Sequence, residues 1–235
     1  MNHRTKQINR RTVIGGFATA GAMIALPASL RAQSLGDLIG ETSINLSSIL
    51  GRASDNALDR LAEPGAYYND PSVRIGLPFV GNIGGGRGGL LGSIMDAGNE
   101  LGVLDDVTRS VNDAAGVAAG EAKPIFRDAI DDLSFNDVPS IIDKKDGGTQ
   151  YLRTSSNDRL HSRLQPLIDG ALEDAGVYGT FDSLADQHSF IRQAGLSREK
   201  INASVTDQGL DGIFSYIAKE EGKFRANPIG GLLGN

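Results

Sequence analysis

The feature that most constrains this chain is a stripe of apolar side chains over residues 107–133. Apolar residues recur there every three or four positions, at Val107, Val111, Ala114, Ala118, Ala122, Ile125, Ala129 and Leu133. This spacing places them on one face of a helix, and that face needs a partner surface to bury it. Pro124 lies inside the pattern. Because proline lacks a backbone N–H and clashes with the preceding turn, it predicts two helices with a bend near Lys123.

Other stretches of the chain carry the same periodicity. They predict one helix over residues 35–61 and a second that begins at a cap at Asn157 and ends at Gly176. A third, less regular helix is predicted over residues 181–196. A fourth is predicted over residues 206–227, after a turn at 202–206. In the last of these, Leu210, Ile213, Phe214 and Ile217 should face the core. Val73, Ile75 and Leu77 alternate with polar or small residues, which predicts a short extended segment. The expected fold is all-α, a compact bundle of about five to eight helices with one short extended segment.

The start of the chain has the composition of a targeting segment. Residues 1–32 hold five basic and no acidic residues, and an apolar run interrupted by glycines follows the adjacent Arg10 and Arg11. The arginine pair predicts a twin-arginine signal peptide ending near Ala32. Asn9 and Val13 depart from the usual motif, so a general secretory peptide stays open, whereas Pro27 disfavours an uncleaved anchor. We therefore expect a periplasmic or otherwise exported protein with a single helical domain over 33–235 and no membrane span in the mature chain.

Charge and cysteine content exclude several classes of function. Beyond residue 32 the chain has 18 Lys and Arg against 29 Asp and Glu, a formal net charge of −11. Nucleic-acid binding depends on basic residues that replace counterions, so we expect no nucleic-acid partner. The chain contains no cysteine, which excludes disulfides, thiol catalysis and thiolate metal sites.

Several short segments together carry a family resemblance. They are residues 71–78 (PSVRIGLP), 129–137 (AIDDLSFND), 148–153 (GTQYLR) and 210–214 (LDGIF), followed by Glu220-Glu221 and by residues 225–228 (RANP). In order and spacing they resemble DUF4197, a family of exported bacterial proteins of unknown function, from about residue 36 onward. The turn at 143–148 and the tail at 229–235 depart from the family pattern. The resemblance implies a helical fold and an envelope location, and it brings no catalytic residues.

Three sequence patterns resemble ligand-binding or metal-binding motifs, but each lacks a part that the motif requires. Gly84 to Gly89 satisfies G-x-G-x-x-G, but the residues that follow are helical where a dinucleotide fold needs a strand, so a loop is predicted. Asp143, Asp146 and Gly147 lack the distal ligands of a calcium loop, and a helix that ends in glycine explains them better. His161 and His188 have no ligand at helical spacing, so neither a metal nor any other cofactor is predicted.

Two groups of residues are candidates for a site. Glu220, Glu221 and Arg225 could act in catalysis, although a solvated helix face is the simpler interpretation, with Glu221 and Arg225 paired on the surface for about 0.3 kcal/mol. Tyr151 and Arg153 could bind a ligand, or could instead be a packed ring and an arginine paired to a surface carboxylate.

Three functions remain open at the level of sequence. Because no catalytic constellation is recognisable, a non-enzymatic envelope module that binds a partner protein or an apolar ligand is favoured. The alternatives are a carboxylate-dependent hydrolase that uses the Glu220, Glu221 and Arg225 end of the last helix, and a purely structural envelope protein. An apolar cavity between helices would favour binding, and buried converging carboxylates would favour catalysis.

Overall fold

The computed structural model describes residues 46–77, 102–134, 144–187, 192 and 196–226. All regular structure in these residues is helical, which confirms the all-α prediction. The helices are α1 (46–61), α2 (Ala66–Asn69), α3 (Val103–Glu121), α4 (Lys123–Asp131), α5 (Gly147–Asp174), α6 (Val177–Gln187) and α7 (Arg198–Ala226). None of the described helices is both long and apolar enough to cross a membrane. The predictions for the leader, for the glycine-rich residues 81–92 and for His188 lie outside the described residues.

Pro124 separates α3 from α4, as its position in the apolar stripe predicts. α3 ends at Glu121 and Pro124 lies in the first turn of α4, where a missing N–H costs no helical hydrogen bond. The stripe is buried from Val107 to Ala129, and Leu133 packs against its edge. The sequence therefore predicts correctly both the break between α3 and α4 and the face that is buried.

Helix α5 differs from its prediction at its start. It packs against α3, α4, α6 and α7. It begins at Gly147, whereas the sequence predicts that a helix ends there and that the next one starts at Asn157. Asn157 lies inside α5, so its assignment as a cap is wrong. The predicted stop is confirmed, because α5 ends at Asp174 and Gly176 adopts a left-handed φ of 69°.

Helix α7 is longer than predicted and contains the residues expected to form a turn. It begins at Arg198, and Asn202 and Thr206 lie within it. The Asn202 side chain donates to the Gln165 carbonyl in α5 at 3.2 Å and accepts from the Thr206 hydroxyl at 3.1 Å. Asn202 and Thr206 are thus hydrogen-bonded to each other, and Asn202 is also bonded to α5. The prediction of a turn at residues 202–206 is wrong. The predicted stripe from Leu210 to Ile217 is buried.

Residues 74–77 form the non-helical segment between α2 and the next described helix, and side-chain amides bind its backbone. Asn112 of α3 accepts from the Ile75 N–H at 2.8 Å and donates to the Ile75 carbonyl at 2.9 Å. Gln208 of α7 accepts from the Gly76 N–H at 2.9 Å and donates to the Gly76 carbonyl at 3.1 Å. Each amide therefore pairs with one residue as a neighbouring strand would. The sequence predicts the segment but not these partners.

Candidate functional site at the start of α5

The carboxylate of Glu221 is buried against the first turn of α5. Its side chain comes from α7 and is fully buried. One carboxylate oxygen, Oε1, accepts from the Gly148 N–H at 3.0 Å, and the other, Oε2, accepts from the Thr149 N–H at 2.7 Å and the Thr149 hydroxyl at 2.6 Å. A side chain from one helix thus caps the N-terminus of another.

The physical reason for this contact is the unfilled start of α5. The first amides of a helix have no partner within the helix, and the aligned peptide dipoles make that end partly positive. The residue before α5, Asp146, makes no capping hydrogen bond from its side chain. Glu221 supplies both the missing acceptor and the negative charge.

Gly148 makes this approach possible because it has no side chain. A Cβ at that position would lie 2.9 Å from Oε1 of Glu221, 3.0 Å from a methyl carbon of Leu50 and 3.1 Å from a methyl carbon of Leu46. All three distances are shorter than ordinary contacts. The start of α5 can therefore lie against α1 and α7 together only if this residue is glycine.

Arg225 completes the surroundings of the Glu221 carboxylate. Its Nε donates to Oε1 at 2.8 Å, and its Nη2 lies 2.7 Å from the same oxygen. The Arg225 side chain is 18% exposed and that of Glu221 is 0% exposed. The predicted pair between these residues therefore exists, but its location on the helix surface is wrong. We call Gly148, Thr149 and Arg225 together the anion cradle.

Glu220 faces a different set of cations from its neighbour. Its Oε1 accepts from Arg60 of α1 at 2.8 Å and from Lys223 at 2.7 Å. The Glu220 side chain is 8% exposed, whereas the two basic side chains are more than half exposed. Glu220 and Glu221 are both buried, so their interpretation as a solvated face is wrong. The sequence shows two adjacent carboxylates but not the distant groups that allow their burial.

The hydrogen bonds limit what the Glu221 carboxylate can do chemically. An ionised carboxylate offers about four lone-pair directions. Here two backbone amides, one hydroxyl and two guanidinium nitrogens already surround its two oxygens. A general base needs an oxygen free to accept a substrate proton, and this arrangement is instead that of a held anion.

Comparison with known proteins identifies the family of the chain. The model of the family described as "Protein of unknown function (DUF4197)" matches residues 40–231, a range that includes α1 to α7 and the anion cradle. The chain belongs to the DUF4197 family. No curated protein and no solved structure matches it significantly.

In this DUF4197 protein, the other two candidate residues lie on α5 just after the cradle. The Tyr151 hydroxyl donates to the Ser134 carbonyl at 2.5 Å, and its ring packs against the core. Arg153 pairs with Asp211 of α7, and its guanidinium lies 5.2 Å from the centre of the Phe214 ring. Tyr151 and Arg153 thus join α5 to neighbouring parts of the bundle, whereas the carboxylate of Glu221 binds Gly148, Thr149 and Arg225.

A second feature of the DUF4197 protein, which the sequence does not predict, is a cleft between α5 and α7. It has a volume of about 320 Å³, and its described lining is Gln165, Pro166, Asp169, Arg198, Glu199 and Asn202. A larger cleft of about 420 Å³ lies between α6 and α7 and includes Tyr178 and Asp182. Arg198 lines both clefts.

Arg198 is held in place by α5 and α6. Its guanidinium donates to the two Asp169 oxygens at 3.2 and 3.1 Å, pairs with Glu173, and lies 4.3 Å from the centre of the Tyr178 ring. These hydrogen bonds from Arg198, with a further one from the Tyr178 hydroxyl at 2.7 Å, lower the pKa of Asp169 to about 2. Burial and the same contact with Asp169 raise the pKa of Tyr178. Asp169 is therefore a fixed negative charge at the cleft.

In the part of the chain that the structure describes, no three acidic or histidine side chains are placed to hold a metal ion. His161, the histidine that the structure describes in α5, has its Nε2 3.1 Å from a carboxylate oxygen of Asp207 in α7.

Proposed function

We propose that this DUF4197 protein is an exported, non-enzymatic helical module of the cell envelope that binds a partner protein at the face formed by α5, α6 and the start of α7. The observation that carries the proposal is the pair of clefts that both have Arg198 in their lining. Helices from three parts of the chain meet there, and contacts with Asp169, Glu173 and Tyr178 hold the Arg198 side chain in place. A preformed concave surface with fixed polar groups is typical of a binding site.

The charge of this face indicates the chemistry of the partner. The described lining contains more acidic than basic side chains, namely Asp169, Glu173, Asp182 and Glu199 against Arg192 and Arg198. The chain beyond residue 32 is also strongly acidic. Complementary charge speeds association and selects among partners, so the partner should present basic side chains to this face.

The alternatives gain less support from the described residues. A carboxylate-dependent hydrolase at Glu220, Glu221 and Arg225 would need a free acceptor, and Glu221 is surrounded by donors. An apolar ligand would favour an apolar lining, whereas these two clefts combine charged, amide and apolar groups. A purely structural role is the outcome if the face binds nothing.

Site-specific photo-cross-linking in the native organism tests the binding proposal. A photoreactive amino acid in place of Glu199 should give a discrete adduct with one protein, and the same substitution at the exposed Asp113 of α3 should not. Adding Asp182→Lys to the Glu199 probe should weaken the adduct because it reverses one charge of the lining. The absence of an adduct at Glu199, or equal adducts at both positions, would contradict the proposal. An apolar molecule that survives native mass spectrometry would favour the small-ligand alternative.

The envelope location has its own test. The leader predicts export through the twin-arginine route, which reads the Arg10 and Arg11 pair. Arg10→Lys with Arg11→Lys should abolish accumulation in the envelope fraction while the total amount of precursor rises. Unchanged accumulation would replace that route by general secretion, and accumulation in the cytoplasm with both arginines intact would refute export.

A further inference from the structure

We infer that copies of this protein associate head to tail, with the basic end of one copy against the acidic end of the next. The association rests on the proposed function, because one of its two contact surfaces is the face formed by α5, α6 and the start of α7. The partner of that face is then a second copy of this chain. Since the two contact surfaces differ, the product is an open chain or a ring of copies and not a symmetric dimer.

Helices α5 and α7 define the two ends of the bundle because they run antiparallel. The Gly148 N–H at the start of α5 binds Glu221 near the end of α7. At the other end, Asp169 of α5 binds Arg198, the first residue of α7. With a rise of about 1.5 Å per residue, Arg198 and Lys223 are about 38 Å apart along α7. The two ends of these helices are therefore separate surfaces.

The acidic end consists of the second half of α5, all of α6 and the first turn of α7. Residues 164–187 contain five acidic and no basic residues, and Glu199 adds a sixth carboxylate. The six are Asp169, Glu173, Asp174, Asp182, Asp186 and Glu199, and all but the first are exposed. The basic residues that the structure describes at this end are Arg192, Arg198 and Lys200. Arg198 is already paired with Asp169 and Glu173, so the exposed charge of this end is negative.

The basic end consists of the last turns of α7, the end of α1 and the turn before α5. Arg60 and Lys223 both bind Glu220, whose side chain is 8% exposed. Lys219 lies 3.8 Å from Asp70, which is also partly buried. The three basic side chains are at least half exposed, so the outermost charges are positive. With two exposed lysines before α5, this end presents Arg60, Lys144, Lys145, Lys219 and Lys223.

The two ends complement each other in charge, which favours a second copy of this chain as the partner. Nearby Glu63 and Asp146 only partly offset the five cations of the basic end, and the acidic end requires a partner with basic side chains. The formal net charge of −11 beyond residue 32 opposes association at long range. At about 0.15 M salt, however, charges are screened over about 8 Å, so the local charges where two ends meet decide the contact. An anionic lipid surface would attract the basic end alone and repel the rest of the protein.

Sedimentation equilibrium of the full chain tests the association. In about 0.15 M sodium chloride, the weight-average mass should rise as the protein concentration increases toward about 1 mM, the range of weak complexes. In about 1 M sodium chloride it should fall back toward the mass of one chain, because salt screens exposed ion pairs.

Charge reversal at either end should break the contact. Asp182→Lys with Glu199→Lys should weaken the association about tenfold or more, because attraction becomes repulsion at the acidic end. Lys219→Glu with Lys223→Glu should have the same effect at the basic end. A chain that carries all four reversals should associate again, because its two ends are again opposite in charge. Circular dichroism checks that each variant is folded.

Two further variants keep this test sharp. Lys144→Glu with Lys145→Glu repeats the reversal at the basic end with exposed side chains, and it should also weaken the association. Asp106→Lys with Asp113→Lys is the matched control for the acidic end, because it makes the same change in net charge at two exposed carboxylates of α3. The control should associate at least as well as the unchanged protein, since a lower net charge reduces repulsion between copies.

The photoreactive substitution at Glu199 separates this association from the proposed binding face. An adduct with the mass of two copies supports head-to-tail association. An adduct with a different protein overturns it and leaves the proposed face standing, whereas no adduct contradicts the face and the association together. A mass that stays that of one chain at every concentration also overturns the association, and so do variants at the two ends that associate like the unchanged protein.

Discussion

The ring of Phe214 in α7 meets the ring of Phe126 in α4 edge to face, with the centroids 6.1 Å apart and the planes at 67°. Both rings are buried, at 2% and 0% exposure. Aromatic pairs prefer this arrangement, and it adds to the free energy gained from burying their surface. The contact joins α7 to α4, the helix that has Pro124 in its first turn.

Phe214→Ala should therefore lower the free energy of unfolding by about 3 to 5 kcal/mol, the usual cost of truncating a buried aromatic side chain. Urea denaturation followed by circular dichroism measures this. Val117→Ala removes a large apolar side chain that is 58% exposed, and it should change stability by less than about 0.5 kcal/mol. Similar losses in the two variants would mean that the Phe214 ring is not part of the core.

Glu221→Gln should lower the free energy of unfolding much more than Glu220→Gln does. It places an amide group among donors and removes the negative charge with which Arg225 pairs, and breaking a buried pair costs about 3 to 5 kcal/mol. Glu220→Gln should cost less than about 1 kcal/mol, since both its partners are more than half exposed. Denaturant titration of the two variants compares them directly. Equal effects would contradict the burial of the Glu221 carboxylate.

Two glycines of α5 should respond to alanine in opposite ways. Gly148→Ala should destabilise the protein, because the new Cβ meets Glu221, Leu46 and Leu50 at about 3 Å. In Gly170→Ala the new Cβ has no atom within 4 Å. This variant should stabilise the protein by about 0.5 to 1 kcal/mol, since alanine favours the helix. Thermal unfolding gives the sign of each change. A stabilising Gly148→Ala would show that α5 and α7 are further apart than described.

The two amides that bind residues 75 and 76 should differ in importance. Asn112 is 1% exposed, so Asn112→Ala removes two hydrogen bonds from the buried Ile75 backbone and should cost about 1 to 3 kcal/mol. Gln208→Ala affects Gly76, which is exposed and can bind water instead, so its cost should be smaller. Hydrogen exchange should become faster at the Ile75 amide in the first variant. Unchanged exchange there would contradict its bond to Asn112.

Stability should fall in acid partly because of Asp70. Hydrogen bonds from the Ser72 hydroxyl and N–H, and one from the Tyr216 hydroxyl, lower the pKa of Asp70 to about 2 from an ordinary value of 3.8. Since the folded state holds the ionised form, this stabilisation is present above about pH 4 and is lost as the pH falls toward 2. Ser72→Ala should make unfolding less pH-dependent in that window, as measured by urea titration at several pH values. A pH dependence equal to that of the unchanged protein would rule out the Ser72 contribution.

Much of the fold follows from the sequence because local patterns govern it. The stripe around Pro124 and the stop at Gly176 depend on residues near one another in the chain, and both predictions are confirmed. The resemblance to DUF4197 is likewise confirmed. Apolar periodicity and helix-breaking residues act over a few positions, so they can be recognised without knowing the neighbouring helices.

The errors occur where a distant residue determines the local structure. Gly147 and Gly148 read as a helix end, yet they begin α5 because the missing side chain at 148 admits Glu221. Residues 202–206 read as a turn, yet they continue α7 because Asn202 finds an acceptor at Gln165. The burial of Glu221 depends on residues 72 and 73 positions away. No local pattern contains such partners.

The hydrogen bonds of α7 also determine when folding can finish. The Tyr67 hydroxyl donates to the Gly209 carbonyl at 3.0 Å, Arg60 reaches Glu220, and Gly76 is bound by Gln208, across 142, 160 and 132 residues. A ribosome adds about 5 to 20 residues per second, so these groups remain without their partners for roughly seven to thirty seconds. Until then the Tyr67 hydroxyl and the Gly76 amide must be hydrated or bound elsewhere. The native bundle is therefore completed only after α7 has been synthesised.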